Sequence, residues 1–440
     1  MPNFVKKHRL NANLMKKSIV LILTALCLGP ALFGQVVMDR QDSVLLDKIR
    51  QARYVSSKPK VASLGILHYS DIHGDDFAVA KIKNVLSKYN PYIDAVINTG
   101  DAVLYYAKAT EKYPNDAQWW RNTGLAEKSL FVLGNHDGSV GSNDKGHQEA
   151  SADWDYMGKA WDFDTFYADY IDDLGITMPK GYDDPASPYY KSCFWLKDYE
   201  AAKIRIIGLD GIHFNDKHRF STSEQETWLK ASLDETLDPS NKVYGYSVII
   251  ACHYPLDDFK GDNVSFDEDT RRPVYNRNEN GGRVINHRTA DVTNFHTIVF
   301  SSASADKRFS LREKVAAPGE KYGYVSGEAN PLGDIVQAWV DKGGKFIIWL
   351  SGHTHFDLLY YPTKYPELLC LAVDQAGNLR GSGFADRPEE SDARFCANYY
   401  GVDTQNGLFK IVRIGLNRDR FLVEKDVLCY DYINKKVIYE

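Results

Sequence analysis

With 440 residues, 44% of them hydrophobic, the chain can bury one large core or two modest ones, so length leaves the domain count open. A net charge of -6, from 53 basic residues interspersed with 59 acidic ones, excludes a field that would gather nucleic acid or an anionic membrane, and any polyanion must be bound locally. An aromatic share of 13%, with 28 Tyr and 8 Trp, excludes a disordered chain and fits a folded protein with stacking-capable surfaces.

At the N-terminus, Lys16 and Lys17 precede an apolar run from Ile19 to Leu28, and Gly29-Pro30-Ala31-Leu32-Phe33-Gly34-Gln35 offers a break and the small residues of a cleavage site. Residues 1–34 therefore read as a signal peptide, with translation starting at Met1 or Met15, and the mature protein is expected in the periplasm or outside the cell. Ser18 to Phe33 is shorter than the roughly 20 apolar residues that span a bilayer, so no stable membrane span is expected after cleavage. Leu26 stands where lipid attachment to Cys27 would need a small residue. Residues 35–62 form an N-terminal extension.

From residue 63 no repeat, low-complexity block or long linker interrupts the chain, which predicts one catalytic domain over 63–380 with insertions near 138–190 and 257–330. Residues 381–440 are expected to complete the same domain. Buried strands are predicted at Leu64 to Tyr69, Ala95 to Asn98, Leu130 to Leu133, Ile204 to Leu209, Tyr246 to Ala251 and Phe346 to Leu350. Helical spacing of Phe77, Val79, Ile82, Val85 and Leu86 predicts a helix over Asp76 to Tyr89, giving a strand, helix, strand order and an α/β fold class. Ser223-Glu224-Gln225-Glu226 reads as a capping box opening a second helix through Trp228, Leu229, Leu233 and Leu237. A third helix spans Pro331 to Lys342, ended by Gly343-Gly344. Alternation from Leu408 to Tyr439 around Asn417-Arg418-Asp419-Arg420 predicts a hairpin and an edge strand. Without the leader, Cys193, Cys252, Cys370, Cys396 and Cys429 remain, with no Cys-x-x-Cys pair for a thiolate metal site. Buried free thiols are the simpler reading, with a Cys370–Cys396 disulfide the alternative.

Five motifs each follow one of these strands: Asp71-Ile72-His73, Gly100-Asp101, Gly134-Asn135-His136-Asp137, His253, and Gly352-His353-Thr354-His355. In open α/β sheets the strand C-terminal ends line one crevice, so distant residues converge there. Imidazole nitrogens, carboxylates and an amide oxygen are the donors divalent cations take, and alternate side chains in Asp-x-His and His-x-His point the same way on extended backbone. Two ions sharing Asp101 would clamp both oxygens of an in-line phosphoryl displacement. A histidine taken singly is more often a structural residue; the five motifs together are a site.

In order and spacing, the set from Leu64 to Leu358 resembles the calcineurin-like metallophosphoesterase superfamily, which includes purple acid phosphatases and exonuclease-type phosphodiesterases. The resemblance implies a four-layer α/β/β/α sandwich of two facing mixed sheets with the metals at one edge. It implies one ion on Asp71, His73 and His355, a second on Asn135, His253 and His353, and Asp101 bridging them. It gives His136 the protonation of the leaving oxygen or the steadying of the transition state, with Asp137 expected to orient it. Where many members carry an acidic residue or Asn three positions after the bridging Asp, and purple acid phosphatases a Tyr, this chain has Leu104, which argues against a tyrosinate–iron site. Tyr105 and Tyr106 are out of register for that ligand. The ions are expected to be Mn, Fe or Zn, which mixed N/O ligation does not separate.

The expected function is hydrolysis of a phosphomonoester or phosphodiester of a small phosphorylated substrate, nucleotides included, by metal-activated hydroxide with His136 assisting the leaving group. No long nucleic-acid footprint is expected. The alternative is a secreted, non-catalytic metal-site protein that binds a phosphorylated ligand. His68, His147, His213 and His218 are read as structural or solvent-facing, and Asp210 as supporting a turn or a ligand from behind. Arg271, Arg272, Arg277, Arg283 and Arg288 alternate with acidic residues and read as a solvated loop. In the first insertion, Trp154, Trp161, Phe163, Phe166 and Tyr167 either cap the cleft or pack helices.

Overall fold

The computed structural model describes residues 38, 40–53, 63–103, 116–134, 137, 170–211, 221–256, 264–266, 273–275, 298–300, 331–353, 357–360, 365, 367–373, 375–377, 395–415 and 428–438. The export segment, Leu104, Asn135, His136, His355, His147, His213, His218, the five arginines and the aromatics of the first insertion lie outside the described residues. The chain divides into two units, Met1–Val44 and Leu45–Glu440. Among its described residues the first holds only the opening of helix α1 (Arg40–Arg53).

In the second unit, β1 (Ser63–Tyr69) leads through the Asp71-Ile72-His73 segment into helix α2 (Asp76–Tyr89), then β2 (Ala95–Asn98), α3 (Asp116–Asn122) and β3 (Leu130–Phe131). Asp75 caps α2, its carboxylate accepting from Phe77 N at 2.9 Å, so the helix starts three residues after His73. The middle of the chain supplies α4 (Ile171–Leu174), β4 (Trp195–Tyr199), β5 (Ile204–Gly208), α5 (Ser223–Asp234) and β6 (Ser247–Ala251). Next come the short strands β7 (Val264–Phe266), β8 (Pro273–Tyr275) and β9 (Ile298–Phe300), then α6 (Pro331–Val340), β10 (Lys345–Ser351), β11 (Asp357–Tyr360) and β12 (Cys370–Ala372). The tail adds β13 (Cys396–Asp403), β14 (Leu408–Gly415), β15 (Leu428–Asp431) and β16 (Lys436–Ile438).

Two seven-stranded mixed sheets result, ordered β16-β15-β14-β13-β1-β2-β3 and β4-β5-β6-β10-β12-β11-β9, beside a β7-β8 pair. β1, β2 and β3 run parallel, as do β5, β6, β10 and β12, so their C-terminal ends come out on one edge of each sheet. The C-terminal strands join antiparallel to β1 through β13. Every residue of β6 is buried, as apolar runs covered on both faces require. One face of the second sheet packs Ile207, Val248, Ile250 and Trp349 against Leu229 and Leu233 of α5 and Leu332, Val336 and Trp339 of α6. Phe346 joins Trp349 on that face despite the odd spacing, because the β10–β6 register shifts between Phe346 and Ile348. Trp195 Nε1 donates to Phe131 O at 2.8 Å and Thr404 Oγ1 to Ala202 O at 2.6 Å, tying the sheets together.

Two local expectations are corrected. The cap of α5 is Thr222, whose hydroxyl accepts from Gln225 N at 3.2 Å, one residue before the predicted Ser223. Thr222 keeps extended backbone, with φ of -110° and ψ of 156°, while Ser223 is already helical, so the cap falls on Thr222. The Gln225 side chain accepts from Asp210 N at 2.7 Å and donates to Asp210 O at 2.8 Å, pinning the turn after β5. The helix predicted to Lys342 ends at Val340. The five cysteines past the leader are buried thiols, as the simpler reading expects, and no disulfide joins Cys370 to Cys396.

His68 of β1 is fully buried, with Nδ1 2.7 Å from the Tyr400 hydroxyl and Nε2 2.9 Å from that of Thr99. Burial pushes its pKa down to about 3, with Asp71 opposing and Arg413 adding to the shift. An unfolded histidine titrates near 6.5, so below that pH the unfolded chain binds a proton the native ring refuses, and stability is lost as pH falls from about 6.5 towards 3. His68→Gln, which keeps polar contacts without titrating, should flatten this slope by up to about 1.4 kcal/mol per pH unit in denaturant unfolding between pH 7 and 5. An unchanged slope would contradict the assignment.

Candidate metal centre

The loops after β1 and β2 continue the pairing of their strands. Asp71 N donates to Gly100 O at 2.9 Å, His73 N to Asp101 O at 3.0 Å and Gly74 N to Ala102 O at 2.9 Å. This lays the Asp-x-His segment alongside Asp101. From the second sheet, Gly352 N donates to His253 O at 3.1 Å, joining the ends of β6 and β10, and His353 N donates to Asp71 Oδ2 at 3.0 Å. A Cβ on Gly352 would run into Ser70 Oγ and Asp71 Oδ2, so only glycine lets the two sheet edges meet this closely.

The functional atoms converge. His73 Nε2 lies 3.6 Å from Asp71 Oδ1 and 4.0 Å from Asp101 Oδ2, and His253 Nε2 lies 3.4 Å from the same Asp101 oxygen. Asp71, His73 and Asp101 each offer a ligand atom within 4.8 Å of the others. The His353 ring sits against His253, their centroids 5.1 Å apart. Asp71, Asp101 and His253 are at most 1% exposed and His73 is 5% exposed, so these charges are held out of water. Asp71, His73, Asp101 and His353 all adopt left-handed backbone, with φ of 53°, 51°, 53° and 67°. Such conformations cost of order 1 kcal/mol each in non-glycine residues and persist where the surrounding structure over-determines them, as at ligand clamps.

Electrostatics point the same way. Buried carboxylates demand a nearby positive charge. Burial works against a charged His253 ring, yet Asp101, Asp71 and the Thr99 carbonyl outweigh it and push its pKa up to about 9. His253 Nδ1 donates to Thr99 O at 2.7 Å, which leaves Nε2 directed at Asp101. Burial pushes the neighbouring Cys252 thiol up to about 12, so no thiolate competes. Carboxylate oxygens and imidazole nitrogens, buried and without thiolate, fit Mn, Fe or Zn and do not select among them.

Asp137, expected to orient His136, which lies outside the described residues, has a further part in the loop of Asp101. Among the described residues its partners are backbone amides: Oδ2 accepts from Asp101 N at 2.7 Å and Gly134 N at 2.9 Å, Oδ1 from Ala102 N at 3.0 Å and Val103 N at 3.3 Å. Four donors use the acceptor capacity of both oxygens. The carboxylate thus holds the strained Asp101 loop. Burial, and then the charge of Asp101, pushes Asp137 up to about 8 against the pull of those amides.

Several residues at the site carried no motif. Thr99 presents its carbonyl to His253, and the segment after β12 closes the site from behind, Ala376 N donating to Ser70 O at 2.8 Å and Gly377 N to Asp71 O at 3.3 Å. Asp210, 4% exposed, has its backbone held in a turn by Gln225. Tyr254 packs on His353, with centroids 4.5 Å apart. Adjacency to His253 was its only signal.

A model of the calcineurin-like phosphoesterase family matches residues 64–357, and the chain belongs to that family of metal-dependent phosphoesterases. Among curated proteins no relative matches. Among solved structures, a dimetal phosphatase from Danio rerio aligns over 84% of this chain and 99% of its own, at 10% identity and a TM-score of 0.43. A conserved uncharacterized protein from Streptococcus pneumoniae, a predicted phosphoesterase, aligns over 84% of this chain and 97% of its own, at 12% identity and a TM-score of 0.27. Both likenesses are remote. Among the described residues no helix is long and apolar enough to cross a membrane.

Proposed function

We propose that this chain hydrolyses phosphate esters of small molecules at a dinuclear metal centre bridged by Asp101. Asp71, His73 and His355 would hold one ion, and Asn135, His253 and His353 the other. The observation that carries the reading is the convergence of buried donors from the ends of β1 and β6 on the carboxylate that follows β2, His73 and His253 both reaching towards Asp101 Oδ2. Ions bound by these donors would supply Lewis acidity towards a phosphoryl oxygen and lower the pKa of water.

The chain's own part is to hold and orient. Thr99 O fixes the His253 tautomer, Asp71 Oδ2 ties down the His353 backbone, and Asp137 holds the Asp101 loop. His136 is assigned protonation of the leaving oxygen. The acidic balance favours a small phosphorylated substrate over a nucleic-acid strand. The apolar leader supports export, with residues 1–34 removed.

Turnover of a generic aryl phosphomonoester and diester with added Mn, Fe or Zn, beside His136→Ala, tests the reading. Metal-dependent hydrolysis is expected, with His136→Ala slower by roughly 100-fold or more. Equal rates in the two proteins would remove His136 from its role. Inactivity with every metal would favour a phosphorylated-ligand binder.

A further inference from the structure

Tyr254 occupies a position at the centre that no motif claims. Its ring meets His353 at a centroid distance of 4.5 Å and an interplanar angle of 61°, and His253 at 5.3 Å and 71°. A Cβ on Gly211, after β5, would stand 2.9 Å from Tyr254 Cδ2, so glycine there leaves the room the ring occupies. Trp349 Nε1 donates to Tyr254 O at 3.2 Å and holds the backbone. The ring is therefore placed by the structure rather than free to swing.

Exposure adds direction. Asp71, His73, Asp101, Asp137 and His253 are all buried, whereas His353 and Tyr254 are half-buried. Among the described residues of the centre, these two are the ones exposed in part. A substrate whose phosphoryl group reaches the centre past them brings its organic part against Tyr254. A fixed aromatic ring there rewards a flat, polarisable group and gives little to a short alkyl chain.

We propose that Tyr254 is a specificity-determining residue which favours esters whose organic part is an aromatic ring, an aryl or nucleoside phosphate, over aliphatic esters. The inference rests on the phosphoesterase reading and narrows its substrate class. Phenylphosphonate and methylphosphonate, whose carbon–phosphorus bonds resist hydrolysis, report the preference by calorimetry on the Mn-loaded full chain. In Tyr254→Leu the phenyl-over-methyl affinity ratio should fall about fivefold to tenfold, while Tyr254→Phe, which keeps the ring, should hold it within about twofold of wild type. Gly211→Ala, which crowds the ring without touching its chemistry, should also lower the ratio. An unchanged ratio in Tyr254→Leu, or equal loss of both phosphonates, overturns the proposal. Turnover of aryl esters in the same preparation judges hydrolysis separately. A wild type that binds with the predicted preference but hydrolyses nothing sinks the catalytic reading alone, and one that binds neither phosphonate sinks both.

Discussion

Asp101→Asn is expected to lower kcat/KM for phosphate-ester hydrolysis at least about a thousandfold and to strip bound metal, while the fold survives. The carboxylate is the shared point of the centre: its Oδ2 lies 4.0 Å from His73 Nε2 and 3.4 Å from His253 Nε2. Asparagine replaces a charged oxygen with an amide nitrogen that cannot bridge two cations. The backbone tolerates the change, because position 101 has φ of 53° and asparagine is among the few residues that visit this region readily. Its N–H still reaches Asp137 Oδ2. Metal content by plasma emission, turnover and thermal unfolding together check the outcome. Unfolding of the variant would make Asp101 a structural residue, and retained metal with retained turnover would remove it from the centre.

Asp137→Ala is expected to destabilise the protein by about 4 kcal/mol or more, measured by denaturant unfolding of the metal-free form so that lost metal binding does not enter. The side chain is fully buried and accepts four backbone N–H bonds, from Asp101, Ala102, Val103 and Gly134. Alanine leaves these donors buried without an acceptor, at about 1–3 kcal/mol each before water or relaxation recovers a part. A residue that only oriented His136 would cost activity and little stability. A loss below about 1 kcal/mol would therefore contradict the clamp.

What could be read from residues alone follows from what local sequence encodes. The apolar runs that became β1, β2, β5, β6 and β10 were legible because a strand buried on both faces shows no alternation and is bounded by turn residues. Asp71, His73, Asp101, His253 and His353 stood out because they end such runs, and the structure brings them to one place. β13 was not legible. Asn398 and Gly401 interrupt its pattern, and its place beside β1 depends on a partner more than three hundred residues away. The amide contacts of Asp137 were not legible for a related reason: peptide N–H groups are carried by every residue but proline, so no residue type announces them. In the Thr222-Ser223 pair either hydroxyl could cap α5, and the choice rests on where the backbone turns helical, which the residue types leave open. Tyr254 shows the limit at the site itself, since an aromatic beside His253 has no distinct spacing.

The most direct measurement is anomalous scattering at the manganese edge from crystals of the full chain grown with Mn. Two peaks should flank the Asp101 carboxylate, one within bonding reach of Asp71 and His73 and the other of His253 and His353. Manganese found elsewhere, with no peak in reach of Asp101, would contradict the centre.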